Sequence, residues 1–187
     1  MAYASWSVVF GEQPSAAKWN ILGTNDASFN DGTGLNSGAV QQVAYNEVTA
    51  VATGSTVIPK DDTIPQNTEG VQYMTQAITP KASANILVIE FIGEFAFSAS
   101  ATDIIVALFQ DSTANALAAV SQRSPGANNN VVVPLKHTMT AGTTSSTTFK
   151  IRAGSADAGT TTFNGSSAAR IFGGVCASVL KITEYKA

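Results

Sequence analysis

One cysteine and one histidine in 187 residues remove several kinds of chemistry at once. Cys176 has no partner for an internal disulfide. A Cys/His zinc cluster cannot be assembled within one chain. Cys176 sits in an apolar run and reads as a small buried hydrophobe. Any acid–base triad would have to include His137. It lies between Leu135 and Met139 on an apolar face and reads as a packed or interface side chain. No G-x-S-x-G pattern supplies a nucleophile for it, so the chain is expected not to be an enzyme. Charge is scarce too, at 12% of residues against about 25% in an ordinary domain. The net charge is -3 and no Lys/Arg cluster occurs, which excludes a strong electrostatic footprint for nucleic acid. No apolar run approaches the ~20 residues that span a membrane. The opening MAYASWSVVFGEQ has no basic region and does not read as a secretory signal. The expectation is a chain made in a cytoplasm, with no nucleic acid, membrane or cofactor partner.

The carboxylates are scattered. Asp61 and Asp62, with Glu69, suit turns and caps rather than the spacing of a calcium loop. Glu90 and Glu94 lie four apart on one strand face, ~13 Å from one another, which exceeds the separation of a glycosidase pair. Asn164-Gly165-Ser166 matches a glycosylation acceptor but reads as a turn. What remains is a surface poor in charge and rich in Ala, Ser, Thr, Asn and Gly. Such a surface fits a protein that largely meets other protein.

The clearest pattern is Ile86 to Ser98, ILVIEFIGEFAFS. Leu87, Ile89, Phe91, Gly93, Phe95 and Phe97 make one apolar face. Ile86, Val88, Glu90, Ile92, Glu94 and Ala96 make a mixed one. Alternation of this kind predicts a strand with one face in a core and the other partly outside. Val71 to Ile78, Val131 to Thr140 and Thr147 to Ala153 alternate similarly, and Pro134 places its strand at an edge or bulge. Ser55 to Pro59 reads as a short strand followed by an ordered loop to Gly70. Gln41 to Val51 and Asn115 to Gln122 are ambiguous between strand and helix. Asn164-Gly165 is a hairpin signal, and Gly174 to Tyr185 reads as one long strand. Roughly eight to ten short strands with turns between them predict an all-β antiparallel sandwich or jelly roll. Ile104, Val106 and Leu108 alternate with Ile105, Ala107 and Phe109, so both faces of that strand are apolar. The stretch around Val175 and Val179 is apolar on both faces as well. Burial between subunits accounts for both, and these five residues (Ile104, Val106, Leu108, Val175, Val179) are the expected trimer interface.

Residues 1–45 differ from the rest. Trp6, Val8 and Phe10 alternate as a short extended arm. Pro14 and Ser15 start a short helix that puts Trp19 and Leu22 on one face. Gly23 is a plausible C-cap, although a second stretch of helix could run from Asn25 to Phe29. Asn30 to Gly34 is a loop. The segment holds both tryptophans and is too small to bury them. Trp6, Phe10, Pro14, Trp19, Leu22 and Phe29 are therefore the expected anchoring residues. The division is 1–45 as an anchoring arm with a short helix, and 46–187 as a trimerising jelly roll.

Two stretches carry a resemblance. Phe10 to Gly34, FGEQPSAAKWNILGTNDASFNDGTG, resembles the N-terminal segment of many tailed-bacteriophage virion proteins of the tail-fibre or minor structural type. Thr56-Val57-Ile58-Pro59, Asp62 to Gly70 and Ile78-Thr79-Pro80-Lys81 are similar to the start of the C1q/TNF-like trimeric jelly-roll module in such proteins. The resemblance implies a homotrimeric structural protein on the phage particle, partnered by the major capsid protein or by tail or portal components. With no shaft in the chain, a capsid decoration or cement protein is the expected type. A fibre-tip knob that binds host-surface glycans through Ser124–Asn130 and Gly154–Gly165 is the alternative.

Overall fold

In a computed structural model, which describes residues 13, 15–30 and 34–187, the chain is one helix followed by an all-β sandwich. The elements in order are α1 (Ala16–Asn30), β1 (Val40–Val48), β2 (Ala52–Gly54), β3 (Val71–Ile78), β4 (Ile86–Phe97), β5 (Thr102–Gln110), β6 (Ala118–Ser124), β7 (Asn130–Thr140), β8 (Thr147–Ser155), β9 (Thr161–Phe163), β10 (Gly165–Ser166), β11 (Ala169–Arg170) and β12 (Ser178–Tyr185). A short 3-10 turn, Phe172–Gly174, precedes β12.

Strands β7, β4, β12 and β1 lie side by side in one sheet, with β9 and β2 continuing past the end of β12. The other sheet runs β3-β8-β5-β6. Every one of these pairings is antiparallel. The chain crosses between the two sheets after β2, β3, β4, β6, β7 and β8, and makes one hairpin within them, β5 to β6; β10 and β11 form a separate small hairpin. A six-stranded and a four-stranded sheet joined in this order form a jelly roll.

The apolar face of β4 lies inside, as its alternation predicts. Leu87, Ile89, Phe91, Phe95 and Phe97 are buried against Ile104, Val106 and Leu108 of β5, Phe149 and Ile151 of β8, Met74 of β3, and Leu180 and Ile182 of β12. Gly93 interrupts the stripe for a packing reason: a Cβ there would meet the Phe91 ring at 2.2 Å. The ring lies over the glycine, which no larger residue would permit. Phe95 and Phe163 stand 5.2 Å apart and Tyr73 closes the cluster at 5.7 and 5.1 Å from them. These are normal separations for attractive aromatic pairs. Burial pushes the Tyr73 phenol up to about 12, and its hydroxyl donates to Thr161 O.

The outer face of β5 needs no partner subunit. Ile105, Ala107 and Phe109 are covered by Ile58, Ala116 and Ala156 of the same chain. The segment 55–70, read from the sequence as a strand and a loop, is a strap without strand structure. It is held by Ile58 N–H to Ser155 O, Gly70 N–H to Val57 O, the Gln66–Asn115 bridge and the Lys60–Asp103 ion pair at 3.1 Å. Arg152 fastens its far end by donating to the carbonyls of Glu69 and Gly70.

Other differences are local. Both ambiguous segments are strands, β1 and β6. The hairpin turn sits at Ser167-Ala168, both at positive φ, rather than at Asn164-Gly165. Asn164 is left-handed as well, but it acts as a pin: it donates to Val48 O and accepts from the Ser178 hydroxyl. β12 begins at Ser178, so the single strand expected from Gly174 is shorter. Glu184 is fully buried and accepts from Lys81 N–H, from the side-chain amides of Asn85 and Gln42, and weakly from Ala82 N–H. It ties the β3–β4 connection to β12 and β1 through hydrogen bonds to neutral donors.

Truncating Ile58 to Ala should lower unfolding free energy by about 2–5 kcal/mol, the usual cost of a cavity under a fully buried aliphatic side chain. Denaturant unfolding measures this, and limited proteolysis should cut first within 55–70.

Candidate functional site

The outward face of the β7-β4-β12-β1 sheet is built from three rows fixed by strand register. Tyr45, Lys181, Glu90 and Lys136 form the middle row. Val43, Thr183, Val88 and Thr138 lie on one side of it, and Glu47, Val179, Ile92 and Pro134 on the other. Glu94 and Val132 extend the face toward the β9 end. Its apolar side chains are open: Tyr45 is 68% exposed, Ile92 51%, Val132 52% and Val43 52%. Single exposed apolar residues are normal on a surface, but a contiguous set marks an interaction site.

Charge sits at the centre of this face. Lys181 lies 2.7 Å from Glu90 and Lys136 3.6 Å from it. The Lys181 hydrogen bond, helped by the charges of both lysines, holds the Glu90 carboxyl below the ordinary range. All three side chains are well exposed, so the cluster adds little stability. Beside it, a shallow groove of about 560 Å³ runs over Ile92, Pro134 and Val179, with Glu90, Lys136 and Lys181 along its edge.

The segment before β12 closes one end of the face. Cys176 is buried and its thiol donates to Glu94 Oε2 at 3.1 Å. Burial, reinforced by the Glu94 carboxylate, pushes that thiol up to about 11. Just ahead of it, Phe172, Gly173 and Gly174 are three consecutive residues at positive φ (50°, 66° and 94°). Phe172 is 71% exposed and Val175 81%. A left-handed Phe is strained by roughly 1–2 kcal/mol, and here the strain holds an aromatic ring out in solvent.

The residues expected at the trimer interface fall in three places. Ile104, Val106 and Leu108 are 0% exposed between the sheets of their own chain. They are core residues and reach no partner, which corrects that assignment. Their strand is apolar on both sides because the 55–70 strap covers its outer face. Val179 is on the open sheet face, and Val175 is in the exposed knuckle beside it. Tyr45, Ile92 and Val132 were not singled out from the sequence, where Glu90 and Glu94 left that face open between solvent and interface contacts.

Of the anchoring residues, Trp6, Phe10 and Pro14 lie outside the described residues, as does the side chain of Phe29. Ser15 starts α1 by accepting from Lys18 N–H through its hydroxyl at 3.3 Å and from Trp19 N–H through its carbonyl. The helix runs through Gly23 without capping there. Trp19 is 60% exposed and Leu22 half-buried. After the helix, the chain returns to the sandwich where Gly38 N–H donates to Lys186 O and Lys186 N–H to Ala39 O.

His137 lies on the inward side of β7, opposite Ile89. Asp61 is used in a turn, accepting from Thr63 N–H and Oγ1; these bonds lower its pKa. Glu69 caps Gln66 N–H. The loops Ser124–Asn130 and Gly154–Gly165 meet at one end of the sandwich. Asn130 donates to Gly165 O at 3.0 Å, and Ser166, just beyond, donates to Asn128 O at 2.8 Å.

No family model matches the chain, and no curated protein matches it either. Solved structures that resemble it include the CBM22-1 xylan-binding domain of Xyn10C from Paenibacillus barcinonensis. That likeness is 12% identical with a TM-score of 0.36, over 81% of this chain and 98% of that one. The structure of the Gx strain of infectious bursal disease virus is 9% identical with a TM-score of 0.35, over 79% of this chain and 38% of that one. The enzymatically active domain of tailspike protein 4 of bacteriophage CBA120 is 16% identical with a TM-score of 0.26, over 65% of this chain and 18% of that one. These likenesses go no further than the jelly-roll-like fold, and they are not of the C1q/TNF type.

With its pKa near 11, Cys176 should react slowly with a thiol reagent at pH 8 in the folded protein and rapidly once unfolded. The same shift makes stability fall as pH rises from about 9 to about 11, because only the unfolded chain then releases the proton. In chemical denaturation, a Cys176→Ala variant should lose that slope between about pH 9 and 10, below the range in which the raised Tyr73 phenol contributes its own fall in stability.

Proposed function

We propose that this chain is a non-enzymatic structural protein of a tailed-phage particle. In this reading the sandwich associates as a homotrimer of C1q/TNF-like kind, and the N-terminal segment docks it on the head as a decoration or cement protein. Its partners are the major capsid protein or, for a tail location, tail or portal components. The observation that carries the reading is the open apolar sheet face over Tyr45, Ile92, Val132 and Val179. A jelly roll with a complete core of its own has no folding use for such a face. The exposed Trp19 on α1 and the likeness of 10–34 to the leaders of phage virion proteins support the docking role. A protein of this type works by interface area: it bridges neighbouring subunits of a shell without chemistry.

Light scattering on the purified chain should give three times the monomer mass. Deleting residues 1–34 should leave the mass at three times that of the shortened monomer and abolish binding to empty capsids. Capsid binding that survives the deletion would remove the leader from the mechanism.

One observation favours a second reading, a fibre-tip knob for host-surface glycans. The exposed and half-buried residues 125–130 and 156–160, with Asn and Gly among them, lie at the same end of the sandwich, whose loops are joined there by Asn130 to Gly165 and Ser166 to Asn128; Ser124, Gly154, Ser155 and 161–165 are buried. Glycan-array binding that disappears when Asn128 and Asn129 are changed to Ala would support it. A uniform copy number across the capsid would contradict it.

A further inference from the structure

The open sheet face is small for the task assigned to it. Four strands about 4.8 Å apart and seven residues at about 3.3 Å give a face of roughly 15 by 20 Å, about 300 Å². A stable interface buries about 800 Å² on each partner. A flat pairing of two such faces falls well short, so a second patch is needed.

The Phe172–Val175 knuckle supplies one. It projects two large apolar side chains, both more than two-thirds exposed, on a strained backbone. Arg170 stands next to it, its guanidinium 3.4 Å from where a Cβ on Gly174 would be. Arg170 is exposed, and its guanidinium has no ion pair or hydrogen bond among the described residues. The Glu47 side chain is exposed on β1, opposite the groove residue Val179 in register. It too has no such partner among the described residues. Knuckle and groove therefore match in polarity, and the charges beside them are opposite and unpaired.

We propose that the Phe172–Val175 knuckle of one copy seats in the groove over Ile92 and Val179 of the next, with Arg170 meeting Glu47 of that neighbour. This rests on the self-association proposed above and specifies how the copies meet. A reciprocal knuckle-and-groove pair would close at two copies, so in the proposed trimer the contact is head-to-tail. Such contacts close into a ring when the rotation allows and otherwise extend as a filament. Each copy then buries both its own knuckle and its own groove, which adds to the area that the sheet face supplies.

The test uses two full-length variants, each with one cysteine: Cys176→Ser with Phe172→Cys, and Cys176→Ser with Ile92→Cys. Ser keeps the hydrogen bond to Glu94. Unfolded together, refolded and oxidised, the mixture should give a disulfide-linked dimer carrying one chain of each kind. Two chains with one cysteine each can form that bond only between copies. A trimer mass by light scattering with no mixed dimer overturns the seating and leaves self-association standing. A monomer mass overturns both. Charge reversal is the second measurement. Arg170→Glu alone and Glu47→Arg alone should each raise the dissociation concentration at least fivefold, and the double reversal should restore it. Both positions are exposed, so circular dichroism melting at concentrations where every variant is monomeric should not change. Equal dissociation in all four proteins would also overturn the proposal.

Discussion

The structure depends on the packing of one aromatic stripe against a glycine. Phe91, Phe95 and Phe97 point from β4 into the space between the sheets, and the Phe91 ring occupies the room that Gly93 leaves free. Strands β7, β12 and β9 pair with β4 on its two sides. Its inward face sets the distance to the opposite sheet, and its outward face sets what the sandwich shows to a partner. A single strand with period-two alternation thus fixes both the core and the candidate interaction surface. Gain of a side chain at Gly93 would displace Phe91 and disturb both together.

The two faces of β5 show how one pattern can have two causes. A strand apolar on both sides must be covered on both sides, and a second subunit and a strap of the same chain satisfy that demand equally. The residues give the demand but not its source. Segment 55–70 lies about 45 residues earlier in sequence, and nothing in its local pattern says that Ile58 will lie over Phe109. The open face of β4 is the converse case. Glu90 and Glu94 left it open between solvent and interface contacts, and strand register places Tyr45, Ile92, Val132 and Val179 around them.

Strands with clean alternation, β3, β4 and β8, were legible because burial on one side leaves a period of two. The start of α1 was legible from Ser15, while its length was not. Gly23 is an adequate helix residue when nothing at that point forces a left-handed cap. The turn at Ser167-Ala168 was not legible, because neither residue type announces positive φ as Asn-Gly does. Glu184 was not legible either. A lone carboxylate near a terminus looks solvated until Lys81, Asn85 and Gln42 are seen to converge on it. The groove and knuckle needed the strand register to become visible.

The pairing of Gly38 and Ala39 with Lys186 has a practical consequence. The root of the helical leader and the last residues of β12's extension emerge side by side from one corner of the sandwich. A passenger fused after Ala187 would therefore begin its path next to the leader, facing whatever surface the leader grips, and would compete with it for space. Surface display from this scaffold is better served by grafting into the joined loops around Asn128 and Gly159.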